Sequence, residues 1–128
     1  MTERELLTAI QIAATRHGAR LFRNSVAVAW TGRATKLPDG SVLIRDPRPI
    51  KTGLVNGASD LIGWTADGRF LAVEAKTGRV QTTLEQRRFI AAVNEVGGSA
   101  GVARSVEDAV GIMKRAEIKK PGADETPG

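Results

Sequence analysis

The sequence contains no cysteine and a single histidine, His17. Without cysteine there is no disulfide framework and no thiolate zinc site. With one histidine, neither a histidine-based catalytic triad nor a two-histidine metal site can form within one chain. No uninterrupted apolar stretch approaches the ~20 residues that cross a bilayer. The opening MTERELLTAI carries acids early and lacks the basic-then-apolar order of a secretory signal, so the cytoplasm is the expected location. Two further signatures are missing. Ser59 lacks the G-x-S-x-G spacing of a nucleophile elbow, and the glycines around TGRVQTTLEQ form neither a phosphate loop nor a dinucleotide fingerprint.

What is present fits one domain of ordinary composition. The 128 residues are 41% hydrophobic and 26% charged, enough for one core and not two. Lysine and arginine total 19 against 14 acids, a formal charge of +5 that suggests a polyanionic partner. Thr2 to about His17 reads as an amphipathic helix through Leu6, Leu7, Ile10, Ala13 and Ala14. RLFRNSVAVAW and TKLPDGSVLIRD read as strands, the second broken by a Pro38-Asp39-Gly40 turn. Arg45 to Gly57, with two prolines and no period, reads as a basic loop. A hairpin about Asp67-Gly68 joins Leu61–Trp64 to Phe70–Lys76. A helix follows, with Thr82 and Glu85 as a capping box, Phe89, Ile90, Val93 and Val96 as its apolar face, and Gly97-Gly98 as its stop. SAGVA is a short strand. SVEDAVGIMKRAEI is a last helix capped by Ser105 and packed through Val106, Ala109, Val110 and Met113. The polar tail from 119 to 128 is too poor in apolar groups to fold, leaving a domain over 1–118. The strand-helix-strand segment demands a parallel pair, so an α/β fold with a mixed central sheet flanked by helices is expected, in the order α-β-β-β-α-β-α.

The second hairpin strand is apolar on both faces, as a central strand should be, until Glu74 and Lys76 appear at its end. Counting back from the turn places Asp60 opposite Glu74 or Ala75, and opposed side chains sit ~5 Å apart. Two carboxylates that close repel unless a cation lies between them. Asp60 and Glu74, with the carbonyl of Ala75, could hold Mg²⁺ or Mn²⁺ for phosphodiester hydrolysis, with Lys76 orienting water or stabilising charge on phosphorus oxygens. Spacing alone leaves open a solvated Glu74–Lys76 pair with Asp60 as an ordinary loop acid. Trp30 and Trp64 read as core or interface residues. Arg45, Arg48 and Lys51, with Arg79, Arg87 and Arg88, offer a phosphate-binding surface.

Gly57-x-Ser59-Asp60-Leu61 followed by Glu74-x-Lys76-Thr77-Gly78 resembles the PD-(D/E)xK nuclease superfamily, and its neighbourhood resembles the virus-type replication-repair nuclease (VRR-NUC) domain. An early helix glutamate, FRN at Phe22 to Asn24, Thr83-x-x-Gln86 with Phe89, and GGSAGVARS agree with it in order, over residues 3 to 112. Ser59 stands where the superfamily has proline, without touching the ligand itself. The resemblance implies a restriction-endonuclease-like core, Asp60 and Glu74 as metal ligands, Lys76 as catalytic, and Gln86 as an added active-site residue. It also implies Asn24 as a nucleic-acid contact, a structure-selective endonuclease acting on branched DNA, a homodimer, and a bacterial cell or phage-infected host as setting. A non-catalytic DNA-binding module and an RNA-directed nuclease of the same fold are the alternatives. Of the two N-terminal acids, Glu3 falls on the apolar arc of the helix and Glu5 on the far side, which selects Glu3 as the acid completing the site.

Overall fold

The computed structural model describes residues 1–116. Its elements are α1 (Glu3–Arg16), β1 (Arg20–Arg23), β2 (Ala27–Lys36), β3 (Val42–Thr52), β4 (Leu61–Trp64), β5 (Phe70–Ala75), α2 (Leu84–Glu95), β6 (Ser99–Ala103) and α3 (Val106–Met113). The α/β class, the mixed sheet and the flanking helices agree with the sequence reading, but five strands, not three, separate α1 from α2. The boundary at residue 118 and the tail from Lys119 lie outside the described residues.

Four strands form the central sheet in the order β1-β4-β5-β6. β4 runs antiparallel to both β1 and β5, and β6 runs parallel to β5, as a helical crossover requires. Alternation along β5 sorts its side chains. Leu71, Val73 and Ala75 face one way and join Leu6, Ile10 and Ala14 of α1 and Ala109, Ile112 and Met113 of α3. Ala72 faces the other way, against Val93 of α2 and Ala100 of β6, with Phe89 and Ile90 beside them. Each large side chain fully buried here contributes about 1.5–3 kcal/mol, which makes β5 the strand the sheet can least spare.

Several local readings change. α3 ends at Met113, with Lys114 as its C-cap, and packs through Ile112 more than Val110, which is only half-buried. Val96 lies past the end of α2 and is 82% exposed, so it belongs to no apolar face. Trp30 and Trp64 are not core residues, being exposed at 59% and 49%. The segment read as a basic loop is mostly strand: β3 pairs with β2 from Thr52 opposite Ala27 to Val42 opposite Lys36. Pro47 and Pro49 do not break it, because a two-stranded ribbon has an open edge on each strand, where a missing N–H costs little.

Candidate active site

The Asp67-Gly68 turn closes with Gly68 N–H donating to Thr65 O at 3.0 Å, and it fixes the register of β4 on β5. Leu61 lies opposite Val73, so the next position outward brings Asp60 beside Glu74, as counting back from the turn anticipated. Asp60 Oδ2 accepts a hydrogen bond from Ala75 N–H at 3.1 Å. Residues 60, 72 and 74 share the α2 side of the sheet, so both carboxylates point toward that helix.

Glu74 is 2% exposed. Its Oε1 accepts from Gln86 Nε2 at 3.1 Å and lies 3.7 Å from Lys76 Nζ, whose own side chain is mostly buried. Its Oε2 is buried with no hydrogen-bond partner. Burial pushes the Glu74 carboxyl up to about 8, the neighbouring Asp60 carboxyl pushes the same way, and Lys76 opposes them. A buried carboxylate oxygen without a donor, beside a second carboxylate, is costly for the protein alone and suits a cation. Among the described residues no third Asp, Glu, His or Cys joins the pair. Two carboxylates are nonetheless a sufficient protein contribution for a hard divalent ion that keeps waters and takes substrate phosphate oxygens.

Gln86 explains why α2 begins where it does. The capping box is Thr83 with Gln86, one residue later than Thr82 with Glu85. Gln86 Oε1 accepts from Thr83 N–H at 2.9 Å while its Nε2 donates to Glu74. One amide thus satisfies an orphan helix donor and a buried carboxylate together; a glutamate could do only the first. Gly57 makes the approach possible. It sits at φ +86°, and a Cβ there would lie 2.6 Å from the backbone carbon of Glu85. Asp60 is anchored from behind by Asn24, whose N–H donates to Asp60 O at 2.8 Å and whose Nδ2 donates to Ser59 O at 3.1 Å. Asn24 Oδ1 accepts from Leu54 N–H at 3.1 Å. Its side-chain amide thus ties the residue before Asp60 to the segment at Leu54, while its backbone N–H holds Asp60 itself.

The remaining expected residues scatter. Glu3 is exposed, and burial along α1 begins only at Leu6, which corrects its placement on the buried face. It stands one helical turn before Leu7, and Leu7 lines an open cleft with Arg23, Asn56, Asp60, Glu85 and Gln86. Arg79, Arg87 and Arg88 are exposed near the start of α2, with Arg87 donating to Thr82 O at 2.7 Å. Arg45, Arg48 and Lys51 are exposed on β3, a different element. Sequence reasoning missed Arg104, which donates to Gly78 O at 3.0 Å and Val80 O at 2.7 Å and so holds the segment after Lys76. Only its place inside GVARS hinted at it, since nothing local names its carbonyl partners.

A search of curated proteins returned no match to this chain. The model of the VRR-NUC domain matches residues 6–107, a span that takes in the paired carboxylates, the lysine beside them and the glutamine of the capping box. The chain therefore belongs to the VRR-NUC family and is a nuclease-type domain.

Proposed function

We propose that the protein is a metal-dependent DNA endonuclease that hydrolyses phosphodiester bonds, selective for branched DNA. The observation that carries this reading is Glu74: a carboxylate held in the interior, one oxygen unsatisfied, against Asp60 on one side and Lys76 on the other. A surface ion pair would not be buried so deeply or lack a partner.

Asp60 and Glu74 would hold Mg²⁺ or Mn²⁺, with the backbone of Ala75 beside them. When bound, such an ion polarises a phosphoryl oxygen as a Lewis acid. The other work belongs to the chain. Gln86 fixes the orientation of Glu74 through Nε2 and keeps Oε2 turned to the site. The Lys76 side chain, its Nζ 3.7 Å from Glu74, is placed to meet negative charge building on the phosphate oxygens. Asn24 and Gly57 act through position alone. Glu3, one turn from the cleft-lining Leu7, is the acid proposed to approach the substrate side from α1.

The presence of all three polar residues, gathered at the end of β5, argues against a module that binds DNA without cutting it. The proposal includes a homodimer, supported by an exposed aromatic strip on the sheet. There Phe22 and Trp64 lie with ring centroids 5.5 Å apart, and Phe70 stands opposite Trp64. The test is cleavage of a panel of labelled junction, flap, splayed-arm and linear DNAs, and of matched RNA, in Mg²⁺, Mn²⁺ or EDTA. Metal-dependent cutting of branched DNA is expected. Binding without cutting in every metal, or cutting of RNA alone, would replace the proposal with one of its two alternatives.

A further inference from the structure

The β2–β3 ribbon plays no part in the site described above. About ten residues long at ~3.3 Å each, it extends roughly 33 Å. It carries Arg33, Lys36, Arg45, Arg48 and Lys51 against Asp39 and Asp46, so most of the chain's formal +5 is concentrated in it.

Its register contains one irregularity, and that irregularity decides where the arginines go. Thr31 lies opposite Arg48, and two residues later Arg33 lies opposite Arg45. Between those pairs β2 has only Gly32, whereas β3 has Asp46 and Pro47. Arg45 and Arg48 are three apart, so in an unbroken strand they would project from opposite faces. The extra residue of the bulge puts both on the face that also holds Arg33. Maintaining the bulge has a cost. Asp46 takes φ 52°, and a Cβ on residue 32 would come within 2.7 Å of Arg45 O. The arrangement also sets Arg33 directly across from Arg45, a like-charge pair that destabilises a ribbon. Asp46 Oδ2 bonds Arg33 NH2 at 2.7 Å, but both side chains are solvated and the pair offsets little. Arg45 and Arg48 have no ion-pair partner among the described residues.

A strained bulge that gathers unpaired guanidinium groups is explained by an anion on that face. We infer that this basic face of the ribbon contacts the backbone of duplex DNA, with the ribbon in a groove and Arg45 and Arg48 on phosphates. This names the substrate class handled by a second surface and rests on the nuclease reading. The major groove of B-form DNA, ~12 Å wide, accepts a two-stranded ribbon, and guanidinium forks suit phosphate. A-form RNA has a major groove too narrow for side chains to read. A second copy fits poorly, because a two-fold contact through this face would set arginine against arginine.

The experiment is fluorescence anisotropy of the full chain with a labelled linear DNA duplex in EDTA, from 50 to 200 mM salt. Wild type is compared with Arg45→Ala/Arg48→Ala and with insertion of one alanine after Gly32. Losing two phosphate contacts should flatten the log–log salt slope by about 1.8, so wild type should lose about tenfold more affinity over that range. The insertion gives β2 as many residues as β3 between the flanking pairs, keeps every charge, and sends Arg45 and Arg48 to opposite faces, so about half that flattening, roughly 0.9, is expected. Circular dichroism checks that both variants keep the wild-type melting transition, which the sheet and its helices set. An unchanged slope in the double variant overturns the inference. So does a wild-type slope in the insertion variant beside a flattened one in the double variant, which would make net charge, not face, responsible. A ribbon-dependent loss on duplex RNA alone, or loss of self-association by light scattering with DNA affinity intact, would assign the face to RNA or to a second copy. If the ribbon variants bind normally while Asp60→Asn still stops cleavage, only the ribbon assignment falls. If Asp60→Asn cleaves while the ribbon variants lose affinity, only the nuclease assignment falls.

Discussion

Strand β5 and the β2–β3 ribbon are both runs of extended chain rich in apolar residues, and solvent meets them in opposite ways. From Leu71 to Ala75 every residue of β5 is buried, with helices over both faces of the sheet. Along the ribbon no residue is buried, and Val28, Trp30, Val42, Leu43 and Ile50 are exposed. The difference separates two tasks. Chemistry on a phosphodiester needs charges held dry and fixed, which requires a central strand whose neighbours were settled by the core. Handling a long polyanion needs reach and exposed cations, which a ribbon free of the core can supply.

The contrast is sharpest in stability. Leu71→Ala should cost about 2–5 kcal/mol, because the cavity opens beneath both α1 and β4. Ile50→Ala on the ribbon should stay within about 0.5 kcal/mol. Urea titrations of the two variants give the comparison, and equal losses would mean the ribbon packs on something in solution.

A second, smaller effect comes from the one charge buried in β5. The Glu74 carboxyl sits at about 8 in the fold against 4.5 for its ordinary value. Between those values the folded state holds a proton that the unfolded state has released. The stability of the metal-free protein is therefore full below pH 4.5 and falls as pH rises through 8. Glu74→Gln should remove that slope and raise stability at pH 8 by an amount on the order of a few kcal/mol, while ending cleavage. Mg²⁺ should restore stability at pH 8 to wild type and leave the variant unchanged. A wild-type melting temperature that stays level from pH 5 to 8 in EDTA would contradict this.

Gln86 offers a finer cut between structure and chemistry. Gln86→Glu keeps the acceptor of the capping box but turns the donor to Glu74 into a repelling charge. Cleavage should fall about 10–100-fold, as for other groups that orient a metal ligand. Gln86→Ala should lose a similar factor and, in addition, about 1 kcal/mol from the cap. If the two variants lost the same stability, the capping role would be wrong. The smallest effect is expected on α1. Glu3→Gln should reduce cleavage severalfold and Glu5→Gln leave it near wild type, and a reversed ranking would show that the other helix edge meets the substrate.

How far the sequence could be read follows the same division. Hydrophobic alternation and the Asp-Gly turn placed Asp60 beside Glu74, because a strand inside a core leaves both signals intact. The ribbon left neither. With no buried face it needs no alternation, and Pro47 and Pro49 imitate a loop. The start of α2 was ambiguous by one residue, because Thr82 with Glu85 and Thr83 with Gln86 both satisfy the capping pattern. Contact with Glu74 favours the second, and that contact is tertiary. Glu3 misled for a related reason: a helical arc gives direction around the axis, not how far along it the sheet extends.

The central claim is that the carboxylate pair at the end of β5 works through a bound divalent ion. It is tested most directly by following cleavage of a labelled DNA junction by wild type and Asp60→Asn as Mg²⁺ is titrated from EDTA to saturation, with binding measured in parallel. The expected result is cutting by wild type only when metal is present, and no cutting by Asp60→Asn at any Mg²⁺ concentration while its DNA affinity stays near wild type. Full cutting by Asp60→Asn at saturating Mg²⁺, or by wild type in EDTA, would contradict it.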